Sequence, residues 1–418
     1  MSVENQHPGD EWVAAFNPMA PDQMENPYPL YARLRRERPV FYSPMFDLWV
    51  VTRYVDIAEV ERDTARFSSV GALDAKAEPH PEVANVLKQG YSKFLSLVQS
   101  DPPDHTRIRN VFGRALSPQR IAAMESSVRA TANGLIDGFI RDGQGDIAQQ
   151  FAYALPGFII CDLLGVPRLD MPQLKGWSDD KTVLMSATAP IEQQVECAHG
   201  FIAMERYFKE KLHERARKPR EDLLTLLVPQ SMGGTAPLSE QEAVCNAMDL
   251  MAAGHETTAG FIGNGLWLLL NAPEQLKAVQ EDLSLIPDAM EEMLRMEPPI
   301  RGFFRQVTTD TTLGGVSLPK GSRVFILYES GNHDETQFPD PERFDIRRAD
   351  ARKHLAFGRG IHFCVGAPLA RLEGRVAFEQ LLQRLPNLRL RTDEPVVRRP
   401  YLMLRGFEHL PLAWDVPA

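Results

Sequence analysis

Cys364 is the residue of this sequence whose type and surroundings point most clearly to chemistry. It lies in the segment FGRGIHFCVG, directly before a helical pattern, and the glycines at 358, 360 and 366 let backbone N–H groups turn towards its sulfur. A thiolate near a helix N-terminus has a lowered pKa, which suits nucleophilic catalysis or metal ligation. A buried cysteine in a glycine-rich turn is the alternative that this segment leaves open. The other three cysteines lie among apolar residues and are predicted to be buried thiols: Cys161, Cys197 and Cys245.

A second unusual segment, AGHETT at residues 253–258, lies in the middle of a long predicted helix. It places a glycine, an acid and two hydroxyl groups where a core helix would ordinarily carry apolar residues. His255 and Glu256 begin the zinc-protease pattern HExxH, but the fifth position is Ala259, which excludes that metal site. The adjacent acid and alcohol, Glu256 and Thr257, could instead guide protons to a reacting group. A threonine bonded to its own helix beside an exposed glutamate is the alternative.

Three predicted helices position these residues. The first begins at Ser239, forms a capping box with Glu242 and ends near Asn271. The second covers 288–296, and the third starts near Pro368, just after the cysteine. Proline follows each of the three, and a proline stops or kinks a helix. Strand patterns are short and scattered, which favours a mainly helical fold with small sheets; they cover 46–52, 315–318 and 324–328.

The composition is that of a globular protein and excludes several classes. Apolar residues make up 44% and charged residues 24%, so a disordered chain is excluded. No window reaches 18 uninterrupted apolar residues and no secretory signal is present, so we expect a cytoplasmic protein that does not associate with membranes. The formal net charge of -10 argues against nucleic-acid binding but allows a local basic face. Because no linker divides the chain, we predict one domain over residues 1–418, and we expect a monomer.

The cysteine segment resembles the haem-ligand loop of the cytochrome P450 superfamily, Phe-x-x-Gly-x-x-x-Cys-x-Gly. The matched positions are Phe357, Gly360, Cys364 and Gly366. The resemblance, which extends over nearly the whole chain, implies that the Cys364 thiolate is the axial ligand of a haem b iron and that His362 bonds a haem propionate. It also implies the fold of the soluble bacterial-type members, which is mainly α with small β-sheets. In that fold the haem lies between the long central helix and the cysteine-loop helix.

The second helix carries the Glu-x-x-Arg pair of the same superfamily, Glu292 and Arg295, which share one helix face. The motif alone is weak, since two other pairs with this spacing occur in the chain. Only this pair lies upstream of the cysteine loop with FPDPERFD (338–345) between them. The resemblance implies that both residues pair with Arg343 of that segment and fix the loop behind the haem, which is a structural role.

The resemblance assigns the AGHETT segment to the distal face of the haem, with Ala253, Gly254, Glu256 and Thr257 at the matched positions. Thr257 is then expected to hydrogen-bond the bound oxygen, and Glu256 is expected to supply protons. Both are the predicted catalytic residues.

Arginine guanidinium groups and histidine imidazole rings are expected to bind the haem propionates. His105 and Arg109 lie one turn apart in DPPDHTRIR, which matches the helix that enters beneath the propionates, and Arg305 matches a further propionate ligand. Taken alone, each of these residues could equally form a surface salt bridge. The predicted propionate partners are therefore His105, Arg109, Arg305 and His362.

The reaction implied is the insertion of one atom of O2 into a small or medium, mostly apolar substrate, aromatic rings included, by hydroxylation or O-dealkylation. The chain has neither a dinucleotide-binding GxGxxG motif after a strand nor a cysteine quartet for an iron–sulfur cluster. We therefore expect electrons from NAD(P)H through a separate ferredoxin or flavodoxin and its reductase. The predicted docking patch for this carrier consists of Arg107, Arg114, Arg359, Arg371 and Arg375.

Family topology also places a set of apolar side chains around the substrate, although several of them would serve equally well as ordinary core. Lys93 or Arg301 could anchor a substrate carboxylate, or both could be solvated. The predicted lining residues are Phe94, Leu97, Val98, Met185, Phe303, Phe304, Met403 and Leu404, with Ala253 of the long helix.

Two other functions are compatible with a haem-binding chain. A peroxide-driven peroxygenase typically lacks the acid–alcohol pair, whereas this chain has Glu256 and Thr257. A non-catalytic haem-binding protein has no use for residues that deliver protons. Two measurements distinguish these functions from a monooxygenase: carbon monoxide binding to the reduced protein, and then NADH consumption.

Overall fold

The computed structural model describes residues 10–74, 78–91, 93, 95–186, 188–228 and 238–417. Helices dominate, as the sequence predicts, and the sheets are small. Within these residues the α-helices are α1 (Asp10–Ala15), α2 (Pro21–Glu25), α3 (Tyr28–Glu37), α4 (Tyr54–Arg62), α5 (Pro81–Leu87), α6 (Asp104–Ala115), α7 (Pro118–Ala123), α8 (Glu125–Asp137), α9 (Ala154–Leu164), α10 (Met171–Ser186), α11 (Ile191–Arg217), α12 (Leu223–Leu227), α13 (Glu240–Leu270), α14 (Pro273–Glu281), α15 (Ile286–Met296), α16 (Tyr328–Gly331) and α17 (Ala367–Arg384).

The strands form four small sheets. Within the described residues the strands are β1 (Val40–Ser43), β2 (Leu48–Val51), β3 (Phe67–Ser68), β4 (Gln144–Asp146), β5 (Gly302–Val307), β6 (Thr311–Leu313), β7 (Val316–Leu318), β8 (Arg323–Leu327), β9 (Arg389–Leu390), β10 (Val397–Arg398), β11 (Phe407–His409) and β12 (Pro411–Ala413). The largest sheet has the order β1-β2-β8-β5-β3, in which β2 and β8 are parallel and the other neighbours are antiparallel.

The long helix α13 starts where the sequence predicts. The Ser239 hydroxyl accepts a hydrogen bond from the Glu242 backbone N–H (3.2 Å), and Glu242 Oε2 accepts one from the Ser239 N–H (2.7 Å), which completes the capping box. The helix has 31 residues and is therefore roughly 46 Å long. It packs against α9, α11, α15 and α17, so its middle lies in the interior of the fold.

The two shorter predicted helices are also present. The second helix is α15, which begins at Ile286, two residues before the predicted start, and the third is α17, which begins at Ala367. Their apolar faces join α8, α9 and α13 in one core cluster. This packing places the N-terminus of α17, and with it the cysteine segment, against the central helix.

The largest sheet forms a second wall. Strand β5 pairs with β8 from Gly302–Leu327 to Gln306–Arg323, and Ile300 forms an isolated bridge with Leu404. The strand predicted over 46–52 is shorter in the structure, because residues 44–47 form the turn between β1 and β2 and Asp47 has φ 53°. Among the described helices, none combines the length and the apolar character that a bilayer crossing requires.

Candidate active site

A cavity lies between α13 and the segment that carries Cys364. Its walls come from α6, α10, α13, β5 and α17, together with the loop at 356–366. Ala253 is exposed in the middle of an otherwise largely buried helix because it faces this cavity. The structure thus brings together most of the predicted site residues: Leu97, Val98, Arg109, Met185, Ala253, Gly254, Glu256, Thr257, Phe303, Arg305, Phe357, His362, Cys364, Gly366, Met403 and Leu404.

The loop before α17 turns the sulfur of Cys364 into the cavity. The backbone N–H of Cys364 donates to the carbonyl of Phe357 (2.8 Å), and Gly358 and Gly360 adopt left-handed φ values of 64° and 63°. Burial raises the pKa of the Cys364 thiol, while backbone N–H groups of Gly366 and Ala367 act in the opposite direction. A metal ion at the sulfur would complete the stabilisation of the thiolate. The other three cysteines are buried, as predicted.

A buried ion pair supports the loop from behind. Arg295 donates from Nε to Glu292 Oε2 (2.7 Å) and from Nη2 to Glu292 Oε1 (2.9 Å), and both side chains are fully buried. Nη1 of Arg295 donates to the carbonyls of Asn332 (2.9 Å) and Pro341 (2.8 Å). The pair therefore ties α15 to the chain that leads into the cysteine loop.

The prediction that Arg343 completes this pair is wrong. Its side chain is 67% exposed and approaches only Asp345 (3.7 Å), although its backbone carbonyl accepts from Arg295 (3.3 Å). Arg348 takes the predicted position instead, because its Nε lies 3.0 Å from Glu292 Oε1 and its side chain is 9% exposed. The turn after 343 reverses the chain, so the arginine five residues later points inwards.

Four basic side chains meet at one end of the cavity. Arg109 and Arg305 line it, and the rings of His105 and His362 lie 4.3 Å apart between centroids. Burial, Arg305, His105 and Arg109 together lower the pKa of His362 to about 3, and burial followed by Arg109 lowers the pKa of His105. Nε2 of His362 lies 2.9 Å from the hydroxyl of Ser69.

This end of the cavity fits the two carboxylates of a haem. The guanidinium groups of Arg109 and Arg305 disfavour protonation of the two imidazole rings, and a bound anion would relieve this repulsion. Nε2 of His105 is buried and has no hydrogen-bond partner within the described ranges, so this nitrogen is available to hydrogen-bond a ligand. With the thiol of Cys364 in the same cavity, the donor set matches a haem whose iron is bound by sulfur.

Glu256 lies on α13, across the cavity from the loop that carries Cys364, and is buried. Arg399 Nη1 donates to Glu256 Oε2 (2.9 Å), and Nδ1 of His255 lies 3.3 Å from Oε1. Burial alone would raise the pKa of Glu256, but His255, Arg399 and Lys175 outweigh it, and the pKa falls well below its usual range. The exposed glutamate of the alternative interpretation is therefore wrong. Arg399 was missed in the sequence, because nothing in the spacing relates it to a residue 143 positions earlier.

Thr257 makes the bond that the alternative interpretation describes. Its hydroxyl donates to the carbonyl of Ala253 (2.6 Å), one turn earlier in α13. The residue is nevertheless only half-buried and lines the cavity, so its oxygen lone pairs remain available to a donor there. The hydroxyl can also turn into the cavity at the cost of one hydrogen bond.

Some predicted substrate contacts lie elsewhere. Phe304 is fully buried on the other face of β5 from Phe303, with its ring 4.9 Å from that of Phe325, because neighbouring residues of a strand point to opposite sides. Its assignment to the cavity is wrong. Phe94 lies outside the described residues.

Neither of the two predicted carboxylate anchors reaches the cavity. Arg301 is 1% exposed, donates to the carbonyl of Pro18 (3.2 Å) and lies 3.7 Å from Glu329, so it belongs to a buried ion network behind the sheet. Lys93 is exposed and is absent from the cavity wall. Other charged side chains line the cavity.

An ion pair between Lys181 and Asp249 lies in the cavity wall beside Thr182 and Leu250. The two side chains are 6% and 13% exposed, and Oδ2 of Asp249 is buried with no hydrogen-bond partner in the described part of the chain. A buried charge pair in an otherwise apolar wall creates a polar end in this cavity. The periodicity of α10 gives no signal for it, since a lysine on a helix is ordinarily solvated.

Glu373 is a further acid that the sequence analysis missed. It lies on α17 in the cavity wall, is 2% exposed, and burial raises its pKa well above the usual range. Its Oε2 has no hydrogen-bond partner among the residues with described positions. Burial thus disfavours the ionised form of Glu373 at this wall.

Comparison with known proteins agrees with this geometry. The family model described as Cytochrome P450 matches residues 35–403. Cytochrome P450 monooxygenase PikC of Streptomyces venezuelae is 36% identical, over 96% of this chain and 94% of that protein. Vitamin D(3) 25-hydroxylase of Pseudonocardia autotrophica is 35% identical, over 93% of this chain and 94% of that protein. The solved structure of cytochrome P450 CREJ in complex with (4-ethylphenyl) dihydrogen phosphate superposes with a TM-score of 0.92 at 32% identity, over 96% of this chain and 100% of that one.

The matched region includes the cysteine loop, the long helix and the Glu-x-x-Arg helix, which together build the cavity. The fold of this chain is therefore the P450 fold, mainly α with small β-sheets. Family membership implies a haem cofactor and O2 as co-substrate. The chain belongs to the cytochrome P450 family and is a P450 monooxygenase.

Proposed function

We propose that residues 1–418 act as a single, monomeric haem domain that hydroxylates or O-dealkylates a small to medium, mostly apolar substrate. The observation that carries this proposal is that Cys364, Glu256 and Thr257 share one cavity with a group of four basic side chains. Haem b with a thiolate ligand would supply the activation of O2 and its insertion into the substrate. NAD(P)H would supply electrons through separate proteins, which favours a cytoplasmic location.

Each side chain of the cavity has a distinct role in this proposal. Cys364 would ligate the iron, and the segments around Phe357, Gly366 and Ala253–Gly254 would flank the two faces of the cofactor. The haem carboxylates would bind to the basic side chains at the other end: His105, Arg109, Arg305 and His362.

Glu256 and Thr257 would move protons into the cavity. The low pKa of Glu256 keeps it ionised, so its carboxylate, held by Arg399, would accept hydrogen bonds from water and order the water molecules that carry protons into the cavity. The Thr257 hydroxyl, bonded to Ala253, would accept a hydrogen bond from water in the cavity or turn to donate one. This pair is also what disfavours a peroxide-driven peroxygenase and a non-catalytic haem-binding protein, since neither requires proton delivery.

The substrate would be mostly apolar with a polar group at one end. Leu97, Val98, Met185 and Phe303 supply apolar wall, and the Lys181–Asp249 pair supplies the polar end. The buried Oδ2 of Asp249 favours a substrate with a hydrogen-bond donor, such as a hydroxyl group. One relative is named Vitamin D(3) 25-hydroxylase, which supports hydroxylation as the reaction.

The electron carrier would dock on the side of α17. A surface groove there is lined by Arg352, Arg371 and Arg375, together with Pro118 and Leu372. Arg371 and Arg375 pair with Glu291 and Glu125, so part of this positive charge is already compensated. Arg114 on α6 and Arg359 are exposed and add further positive charge to the predicted patch, whereas the charge of Arg107 is compensated by Asp104 (2.8 Å) and Glu242. A ferredoxin or flavodoxin is negatively charged and would be attracted to such a face.

The test begins with the carbon monoxide spectrum of the reduced, haem-loaded protein. A Soret band at the position of a thiolate-bound haem, followed by NADH consumption with surrogate ferredoxin and reductase and by an oxygenated product, is the expected result. If the protein binds haem but oxidises none of the ligands that shift its spin state, the result would instead support the non-catalytic function. Activity with hydrogen peroxide alone at the same rate would support the peroxygenase.

A further inference from the structure

Glu61 is a buried carboxyl group beside the four basic side chains of the cavity. It lies on α4, with its side chain 1% exposed. Its Oε2 has no hydrogen-bond partner in the described part of the chain. A carboxyl group is costly to bury without partners, so its position indicates a role other than packing.

Two cavity-lining groups approach the other oxygen of Glu61. The hydroxyl of Tyr328 donates a hydrogen bond to Oε1, and Nη2 of Arg305 lies 3.9 Å from the same atom. The second distance is too long for a hydrogen bond, so Arg305 acts through its charge. The backbone N–H of Arg359 is a second donor to the carboxyl group, and the Arg359 side chain donates to the hydroxyl of Tyr54 (2.7 Å).

The loop that carries Cys364 packs directly on Glu61. A Cβ on Gly358 would lie 3.2 Å from Glu61 Oε1 and 3.4 Å from the hydroxyl of Tyr328. A Cβ on Gly360 would lie 2.8 Å from the backbone carbonyl of Glu61, which is closer than real Cβ atoms come. Glu61 therefore touches the cysteine loop on one side and faces Arg305 on the other.

The protonated and ionised forms of the Glu61 carboxyl group are close in free energy at neutral pH. Burial raises the pKa of Glu61 to about 7, against the opposing effects of Arg305, Tyr328 and Arg359. When Glu61 is ionised, it competes with other anions for electrostatic attraction by Arg305. When Glu61 is protonated, Arg305 attracts the other anions without this competition. Among those anions, under the function proposed above, is a haem carboxylate.

We infer that Glu61 is a positioning residue that shares Arg305 with a haem carboxylate, so that its ionisation loosens the hold of Arg305 on the cofactor. This inference rests on the proposed haem binding. A bound anion near Arg305 raises the pKa of Glu61, because a second negative charge disfavours ionisation. Haem is then held most tightly below about pH 7, and the hold weakens as pH rises from the pKa of the empty site to the higher pKa of the loaded one.

The experiment follows haem transfer from the loaded full-length protein to excess apomyoglobin at a series of pH values across the neutral range. In the wild-type protein the release rate rises above about pH 7, by about tenfold for each unit by which bound haem raises the pKa of Glu61. In Glu61→Gln the rise is smaller, because only the ring protonation of His105 and His362, which meet at the same end of the cavity, still changes with pH. Glu59→Gln is the matched control, because Glu59 lies on the same helix but is exposed and pairs with Arg66 (2.8 Å).

A second variant, Tyr328→Phe, keeps the carboxyl group and removes a hydrogen bond that favours its ionised form. The pH at which release accelerates then moves upwards. An unchanged pH profile in Glu61→Gln overturns the inference, and if that variant does not fold, an unchanged profile in Tyr328→Phe overturns it. A wild-type protein that never takes up haem contradicts the proposed function instead.

Discussion

At the scale of single residues, the acid–alcohol pair differs from a surface pair in its environment. Glu256 is buried and ionised, and Arg399 holds it from a distant part of the chain. Thr257 faces the cavity while it donates to Ala253. Under the proposed function, Glu256 would keep a negative charge at the wall of the cavity, and Thr257 would present a hydroxyl group inside it.

Replacement of Thr257 by alanine removes the hydroxyl group and leaves α13 intact. We expect NADH oxidation to continue, but product per NADH to fall roughly tenfold, since the lost hydrogen bond is worth about 1.4 kcal/mol. The ratio of product to NADH, with hydrogen peroxide measured in parallel, reports this change. Thr257→Ser keeps the hydroxyl and should retain most of the coupling; equal loss in both variants would contradict the role of the hydroxyl.

Replacement of Arg399 by methionine tests how Glu256 is kept ionised. The cation lowers the pKa of Glu256, so activity that needs the ionised form is present at neutral pH and is lost only as pH falls to low values. Without the cation the pKa rises, and we expect the acidic limb of the product-formation profile to move to higher pH. Arg391→Met, at a site that pairs only with surface acids, is the control. An acidic limb at the same pH in both variants would be incompatible with this role.

At the scale of elements, helix ends and short motifs were predictable, and contacts between distant segments were not. The capping box at Ser239 and the glycines around Cys364 are local, so their spacing alone predicted the start of α13 and the turn of the loop. The partner of Glu292 depends on how the chain turns after residue 343, and the register of β5 decides that Phe304 faces the core. Tertiary packing, which local sequence does not reveal, determines both the partner of Glu292 and the orientation of Phe304.

The corrected partner of Glu292 gives a matched pair of variants. Arg348→Met removes one member of a buried ion pair, and we expect it to lower the free energy of unfolding by about 3–5 kcal/mol. Arg343→Met changes an exposed side chain, and we expect a change within about 0.5 kcal/mol. Urea unfolding of the haem-loaded protein measures both. Equal effects of the two changes would show that the assignment of Arg348 is mistaken.

At the scale of the whole molecule, the cavity is assembled from helices and a sheet that are far apart in sequence, with one end basic and the other carrying the Lys181–Asp249 pair. Charged groups buried in the wall of an apolar cavity are rarely there for stability, since apolar replacements are often as stable. We therefore propose that the pair binds a polar group of the substrate. Its residues lie 68 positions apart, so only the folded chain brings them together.

Substitution of both members of this pair separates stability from binding. We expect Lys181→Met alone to destabilise the protein by about 3–5 kcal/mol, because it leaves an uncompensated buried carboxylate, and the double variant with Asp249→Leu to recover wild-type stability. The same double variant should bind hydroxyl-bearing ligands less tightly in a spin-shift titration and their deoxy analogues equally or more tightly. A double variant that stays unstable, with unchanged ligand preference, would assign the pair to structure.

The carbon monoxide spectrum of the reduced protein tests most directly whether Cys364 binds haem iron in this cavity. We expect the wild-type protein to give a Soret band at the position of a thiolate-bound haem. Cys364→Ser should shift this band to that of a haem without sulfur ligation, while Cys161→Ser should leave it unchanged. A thiolate-type band that persists in Cys364→Ser would show that Cys364 is not the iron ligand, and a wild-type protein without haem would show that the cavity does not bind this cofactor.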